Sequence, residues 1–201
     1  RKESSAASDV YKRQTGNKHK VDEIKAIFSG VKDIEIYSIK DGIEIPEVVE
    51  DGQTFEENSA KKAMEIAKYT NMITIADDSG LCVDALNGAP GVYSARFSAE
   101  GTDEANNKKL MEVMKNEKNR KCKFVSVVTL GKPDGRVYSF RGEVEGELLY
   151  EPKGNKGFGY DPYFNVKEYG KTLAEMPEIK NKISHRAMAL KKLELELNDI
   201  L

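Results

Sequence analysis

The sequence has little cysteine, no long apolar run and no excess of basic charge. Its two cysteines, Cys82 and Cys122, form no CxxC pattern and have no neighbouring Cys or His cluster that could complete a zinc site. Such cysteines are typical of reduced thiols, which favours a cytoplasmic protein. The longest apolar stretches, such as Phe124–Leu130, are far shorter than the ~20 residues of a membrane-spanning helix. With a net charge of −2, the chain also has no basic field of the kind that binds nucleic acid.

The overall composition is that of an ordinary soluble globular protein. Of the 201 residues, 39% are hydrophobic and 33% are charged. A chain of this length buries roughly 70% of the surface of its unfolded form, so it needs no disulfide or structural metal to fold. We expect one domain over residues 15–201. Residues 1–14 lack an initiator methionine and sustained apolar periodicity, and we interpret them as a disordered or non-native head.

Helix and strand patterns alternate along the rest of the chain. Thr54–Glu57 is a capping box that predicts the start of a helix, and Ser184 is a candidate cap for the last one. Over Cys122–Thr129 one strand face would contain Cys122, Phe124, Ser126 and Val128 and the other the residues between them, and the turn at Pro133–Gly135 predicts a hairpin with the strand that follows. We therefore predict an α/β fold in which a mixed central β-sheet is flanked by helices.

The run Ala76–Gly80 contains two adjacent aspartates, Asp77 and Asp78, directly after an apolar segment that we interpret as a strand. Ligands of α/β folds bind where strands end, and carboxylate oxygens there suit Mg²⁺ together with substrate phosphates. Adjacent residues of a strand point to opposite sides, so at most one of the two is expected to face a metal ion. The alternative is an Asx turn with no ligand. A second acidic pair, Glu50 and Asp51, could equally be solvated surface.

The segment from Thr15 to Lys20 contains Gly16, Asn17, Lys18 and His19 and precedes the first predicted helix. Backbone amides at a helix start can bind a phosphate, and the lysines would add positive charge. The spacing is not that of a Walker A motif, and a capped helix start with surface lysines is the alternative.

Residues 154–162 are rich in glycine and place two aromatic residues, Phe158 and Tyr160, beside Asp161. An aromatic face can stack on a purine, and a carboxylate can accept a hydrogen bond from a ring N–H. The alternative is a surface loop with one aromatic residue in the core.

His185 and Arg186 stand at the predicted start of the last helix, where the helix dipole disfavours cations. Such a placement favours a ligand, for example a purine carbonyl that accepts hydrogen bonds from both side chains. A lone histidine is, however, more often structural.

Taken together, the order and separation of these motifs resemble the inosine triphosphate pyrophosphatase family, also called dITP/XTP diphosphatases. The resemblance extends from Thr15 to about Leu193. The segments on which it rests are Thr15–Lys20, Thr54–Ser59, Ala76–Leu81, Gly88–Phe97, Gly157–Pro162 and Ile183–Arg186.

The resemblance implies hydrolysis of ITP, dITP and XTP at the α–β bond by a Mg²⁺-dependent homodimer, each chain having two lobes with a cleft between them. It implies that Asp78 is the general base and a metal ligand, with Glu50 as the second ligand. The residues that it assigns to the substrate are Thr15, Gly16, Asn17, Lys18, His19, Lys20, Ser79, Phe158, Gly159, Tyr160, Asp161, Lys180, His185 and Arg186.

One segment departs from the family pattern. Members of the family begin with an apolar strand, whereas Ser8–Gln14 is largely polar, so we hypothesise that residues 1–14 are an artefact of cloning or sequence assembly. Two other functions remain open. A related pyrophosphatase could act on modified pyrimidine nucleotides, although the segments around Phe158 and His185 favour purines. A non-catalytic nucleotide-binding protein would be expected to lose the acidic residues that this chain keeps.

Overall fold

The structure is a computed structural model that describes residues 2–7, 16–31, 34–38 and 41–201, with residues 2–7 and 16–19 described by their backbone. The helices are α1 (Gly16–Phe28), α2 (Phe55–Thr70), α3 (Asp103–Val113), α4 (Pro177–Ile183) and α5 (His185–Ile200). The strands are β1 (Lys2–Ala7), β2 (Ile34–Tyr37), β3 (Ile73–Val83), β4 (Lys121–Gly131), β5 (Val137–Leu148), β6 (Phe164–Val166) and β7 (Lys171–Thr172). Within those described ranges, no helix has the length and apolar character needed to cross a membrane.

The start of α2 follows from local side-chain chemistry. The hydroxyl of Thr54 accepts a hydrogen bond of 3.1 Å from the Glu57 amide, and the Glu57 carboxylate accepts one of 2.7 Å from the Gln53 amide. The Thr54 hydroxyl forms the cap that the pattern predicts, whereas the Glu57 carboxylate binds the amide of Gln53 and not that of Thr54, so only this half of the capping box is present. Thr102 caps α3 in the same way, since its hydroxyl accepts a hydrogen bond from the Ala105 amide.

The strands are hydrogen-bonded in the order β2-β1-β3-β4-β5-β6-β7. Strand β1 runs parallel to both β2 and β3, while β6 runs antiparallel to β5 and β7. Parallel and antiparallel pairs in one sheet, with helices before and after the strands, confirm the predicted α/β fold on a mixed sheet. Strand β5, which follows the predicted turn at Pro133–Gly135, is continuous over Val137–Leu148.

Part of the predicted head is a strand. Lys2–Ala7 forms β1, in which Ser4 pairs with Ile36 of β2 and with Ile73 of β3. We expect a disordered tail here from the sequence, but the structure has a strand at these residues. Polar composition does not prevent this, because strand pairing uses backbone groups that every residue except proline supplies. Residues 1 and 8–14 of the head lie outside the described residues, and its non-native origin stays a prediction.

The chain divides into two compact units. The first comprises Arg1–Asp78, Ser126–Gly142 and Arg186–Leu201, and the second comprises Ser79–Val125 and Glu143–His185. The core of the first unit includes Ile24, Phe28, Ile75, Val128, Leu190 and Leu193. The core of the second includes Leu81, Leu110, Met114, Phe124, Tyr160 and Phe164. The candidate site residues are distributed over both units.

Candidate active site

Asp77 and Asp78 lie inside β3 and not at its end, which corrects the predicted strand boundary. The strand continues to Val83 because Leu81 and Val83 are apolar and fully buried. As neighbours on a strand, Asp77 and Asp78 point to opposite faces. Their exposed fractions are 1% and 7%, so both carboxyl groups need polar or charged partners. An exposed Asx turn does not describe this segment.

Basic groups surround Asp77 in the first unit. Nζ of Lys20 lies 3.3 Å from Oδ1 of Asp77, and Nε of Arg186 lies 3.2 Å from Oδ2. Burial by itself raises the pKa of Asp77, but Lys20, Arg186 and Lys62 together outweigh burial and lower that pKa below its usual range. Asp77 is therefore a carboxylate at neutral pH.

Lys62 is a site residue that the motif analysis missed. Its ammonium lies 2.6 Å from Oε1 of Glu50 and donates a hydrogen bond of 2.6 Å to the backbone carbonyl of Asp77. Lys62 is only 3% exposed and shares the buried face of α2 with Ser59, Ala63 and Ile66. A lysine on the apolar face of a predicted helix is the sequence signal that could have found it, because a buried ammonium must be paired.

The two predicted metal ligands, Glu50 and Asp78, are both carboxylates. Lys62 joins Glu50 to the backbone of Asp77, the residue that precedes Asp78. Among the described residues, no group of three or more His, Cys, Asp and Glu side chains is arranged to hold a metal ion. Mg²⁺ typically takes one or two carboxylates and completes its shell with water and substrate phosphates. The pair of Glu50 and Asp78 fits that kind of site by its donor chemistry.

The predicted phosphate segment falls at the start of α1. Thr15 lies outside the described residues, and Gly16–His19 form the first turn of the helix. The first amides of a helix have no partner within it, so they are available to an anion. Lys20 follows in the same helix and reaches Asp77, as given above. Ser79 lies in β3 directly after Asp78 and is half-buried.

In the second unit the structure brings Phe158, Asp161 and Lys180 together. Oδ2 of Asp161 accepts hydrogen bonds from the Phe158 amide at 3.0 Å and from Nζ of Lys180 at 2.8 Å. The same ammonium lies 4.2 Å from the centroid of the Phe158 ring, in a cation–π contact. An aromatic ring, a buried carboxylate and a buried ammonium therefore form one cluster. The sequence motif supplies the ring and the carboxylate, the family resemblance supplies Lys180, and the role of the cluster as a purine site stays a prediction.

Tyr160 and His185 pack among apolar side chains of the second unit. Tyr160 is 5% exposed, and its hydroxyl donates a hydrogen bond of 2.6 Å to the Ser94 carbonyl. Burial, and to a smaller extent Asp103, raises the pKa of Tyr160, so the phenol stays neutral. The His185 ring stacks on Phe124 with a centroid distance of 4.8 Å. Their proposed contacts with a base stay predictions.

Arg186 belongs to the first unit, although it directly follows His185. Its Nη1 donates a hydrogen bond of 2.7 Å to Oε2 of Glu23, and its Nε donates one of 3.2 Å to Oδ2 of Asp77. The guanidinium is almost fully buried. The structure therefore places Arg186 with Asp77 of β3. Lys180, in contrast, lies with Phe158 and Asp161.

The model of the Ham1 family matches residues 13–195. The chain belongs to the Ham1 family. This confirms the resemblance on which the sequence analysis relied, and the match covers every predicted site residue.

Bacterial relatives match the chain over most of its length. It is 49% identical over 184 residues to a dITP/XTP pyrophosphatase of Geobacter sulfurreducens, covering 90% of this chain and 92% of that protein. It is 50% identical over 198 residues to a dITP/XTP pyrophosphatase of Clostridium perfringens, covering 93% of this chain and 96% of the relative.

Solved structures of the family have a similar fold. The Ham1 protein of Staphylococcus aureus superposes with a TM-score of 0.84 at 39% identity, covering all of both chains. A HAM1 protein of Coxiella burnetii superposes with a TM-score of 0.86 at 35% identity, covering 99% of this chain and 100% of the other.

Proposed function

We propose that this protein hydrolyses non-standard purine nucleoside triphosphates, with ITP, dITP and XTP as substrates, to the monophosphate and pyrophosphate. Relatives about half identical to it bear the name dITP/XTP pyrophosphatase. The observation that supports this reaction most directly is the grouping of Glu50 and Lys62 around the backbone of Asp77, beside Asp78. Carboxylates close to an ammonium group suit a polyphosphate and its counter-ion.

Asp78 is proposed as the general base. It takes a proton from a water molecule whose oxygen attacks the α-phosphorus. The new bond joins that oxygen to phosphorus, the bond to the bridging α–β oxygen breaks, and pyrophosphate leaves with the electron pair. Glu50 and Asp78 would hold Mg²⁺, which when bound supplies positive charge to the phosphate oxygens. The first turn of α1, from Gly16 to Lys20, together with Thr15 and Ser79, would bind the phosphates.

The base is proposed to bind at the cluster of Phe158, Asp161 and Lys180. The Phe158 ring stacks on the purine, and the Lys180 ammonium donates to the 6-keto oxygen. An adenine would meet this donor with its own amino group, and both groups would lose their hydrogen bonds, so 6-keto purines are selected. Gly159, Tyr160 and His185 are proposed to border the base. Arg186 shares that assignment by resemblance, although its hydrogen bonds are to Glu23 and Asp77.

A nucleotide panel tests this function. Pyrophosphate release would be measured with ITP, dITP, XTP, ATP and a modified pyrimidine triphosphate, each with Mg²⁺ and with EDTA. We expect release from the 6-keto purines in the presence of Mg²⁺ and little from ATP. Preference for the pyrimidine, or binding of ITP without cleavage, would contradict the proposal. The homodimer is also a proposal, and light scattering after gel filtration tests it.

A further inference from the structure

We propose that Asp103 and Asn107 of α3 are positioning residues that hold the Phe158 ring in place for base binding. The proposal rests on the proposed function insofar as Phe158 is taken to stack on the base. Its structural basis is independent of that function, because it concerns how both backbone polar groups of Gly159 are bonded. Neither Asp103 nor Asn107 belongs to the motifs on which the resemblance rests.

Two side chains of α3 hold the Gly159 backbone. The Gly159 amide donates a hydrogen bond of 2.9 Å to Oδ2 of Asp103, and the Gly159 carbonyl accepts one of 2.9 Å from Nδ2 of Asn107. Residues four apart lie on one face of a helix, so Asp103 and Asn107 meet the loop side by side. We call this pair of hydrogen bonds the α3 clamp. It fixes the peptide that joins Phe158 to Gly159 and the peptide that follows.

The loop itself has a conformation that other residues would not adopt readily. Gly157 and Gly159 have φ angles of +78° and +59°. A Cβ atom on Gly157 would lie 2.2 Å from Oδ2 of Asp161, the oxygen that also accepts from the Phe158 amide. Glycine allows these angles but also allows many others, so a glycine-rich loop needs outside contacts to stay in one conformation. The α3 clamp supplies such contacts.

The backbone is thus held by hydrogen bonds both at Phe158 and at the residue that follows it. Asp161 accepts from the amide of Phe158 itself, and the α3 clamp holds the next residue. A base binds more tightly to a ring that is already in place, because the loop then loses little conformational entropy on binding. Loss of the α3 clamp should therefore weaken binding of the base and leave binding of the phosphates unchanged.

The first experiment needs no enzymatic activity. The chain contains no tryptophan, so the variant Phe158→Trp has a single tryptophan that reports on the loop. In that background we expect Asn107→Leu, which keeps the size of the side chain and removes the donor, to increase acrylamide quenching of the tryptophan about twofold. Lys108→Leu, at the next and exposed position of α3, is the matched control and should leave quenching unchanged. Equal quenching in both variants would overturn the proposal.

The second experiment distinguishes an effect on binding of the base from an effect on binding of the phosphates. In the native background we expect Asn107→Leu to raise the KM for ITP about fivefold, the size of one net hydrogen bond, with kcat within about twofold of the parent. The inhibition constant of inorganic tripolyphosphate, which has no base, should not change. A parallel rise in KM and in that inhibition constant would overturn the proposal.

Asp103 gives an independent check by conservative substitution. Asp103→Asn keeps an oxygen that can accept from the Gly159 amide, whereas Asp103→Ala removes it. We expect Asp103→Ala to raise the KM for ITP and Asp103→Asn to restore most of the parent value; equal defects would count against the α3 clamp. If the parent protein does not cleave ITP at all, the proposed function fails, and the quenching experiment still decides whether the α3 clamp holds the loop.

Discussion

The ammonium of Lys62 lies 2.6 Å from a carboxylate oxygen of Glu50. The same ammonium donates to the backbone carbonyl of Asp77, and the lysine is almost fully buried. A buried ammonium with two short contacts is held firmly, and it holds its partners in turn. We conclude that Lys62 links the loop that contains Glu50 to the part of β3 that contains both aspartates.

Replacing Lys62 should therefore abolish most activity. We expect Lys62→Met to lower kcat/KM for ITP by about 100-fold, because it removes a fixed positive charge beside Asp77 and releases Glu50. Lys62→Arg should not restore activity, since a planar guanidinium cannot replace a compact ammonium. The measurement is pyrophosphate release at saturating and limiting ITP.

Lys61 offers a matched control for Lys62. It is the preceding residue of α2, and its ammonium lies 2.8 Å from Oδ1 of Asp51 in a more exposed pair. Exposed ion pairs contribute about 0–1 kcal/mol, so Lys61→Met should change neither stability nor activity appreciably. A comparable loss of activity in Lys61→Met and Lys62→Met would contradict the role assigned to Lys62.

Arg186 should matter for the stability of the first unit. Its guanidinium is buried between Glu23 and Asp77, and removing one partner of a buried ion pair leaves an uncompensated charge. We expect Arg186→Met to lower the free energy of unfolding by about 3–5 kcal/mol. Urea denaturation followed by circular dichroism measures the change.

The matched control for Arg186 is Arg136, whose pair with Asp134 at 2.6 Å is exposed. Arg136→Met should leave the free energy of unfolding almost unchanged, because water and salt screen an exposed pair. If Arg186→Met were as stable as Arg136→Met while losing affinity for ITP, Arg186 would act on the substrate and not within this buried group.

The two cysteines should differ in reactivity. Burial, and to a smaller extent Asp84, raises the pKa of the Cys122 thiol, whereas Cys82 is partly exposed. Iodoacetamide acts on thiolates, so at pH 8 we expect it to label Cys82 in the native protein and Cys122 only after denaturation. Mass spectrometry of the labelled peptides checks this, and early labelling of Cys122 would argue against its buried position.

The raised pKa of the Cys122 thiol also makes the stability of the folded protein depend on pH. A thiol whose pKa is raised by folding favours the folded state below its unfolded pKa, which is about 8.5. That contribution is lost progressively as the pH rises above this value towards the higher folded pKa. Stability should therefore fall in alkaline solution, and Cys122→Val should reduce the fall. An unchanged pH profile in Cys122→Val would show that other groups are responsible.

The sequence predicts those features that depend on neighbouring residues. The caps at Thr54 and Thr102 involve residues three positions apart, and such patterns can be read directly. The cluster of Phe158 and Asp161 also lies within one short segment. Its third member, Lys180, came from the family resemblance and not from any local pattern.

Other features depend on contacts between distant residues, and these the sequence did not predict. Arg186 pairs with Asp77 across 109 positions and with Glu23 across 163 positions. The position at a helix start favoured a ligand carbonyl as the partner of Arg186, whereas its hydrogen bonds are to two protein carboxylates. Lys62 was missed for the same reason, since its partners Glu50 and Asp77 lie in other elements.

The assignment of Asp78 as general base is the central claim, and one substitution tests it most directly. Asp78→Asn keeps the size of the side chain but removes the proposed proton acceptor and a proposed negatively charged ligand of Mg²⁺. The measurement is pyrophosphate release from ITP in the presence of Mg²⁺, with circular dichroism to verify that the variant is folded. The account predicts that the folded variant releases almost no pyrophosphate, whereas release at a near-normal rate would contradict it.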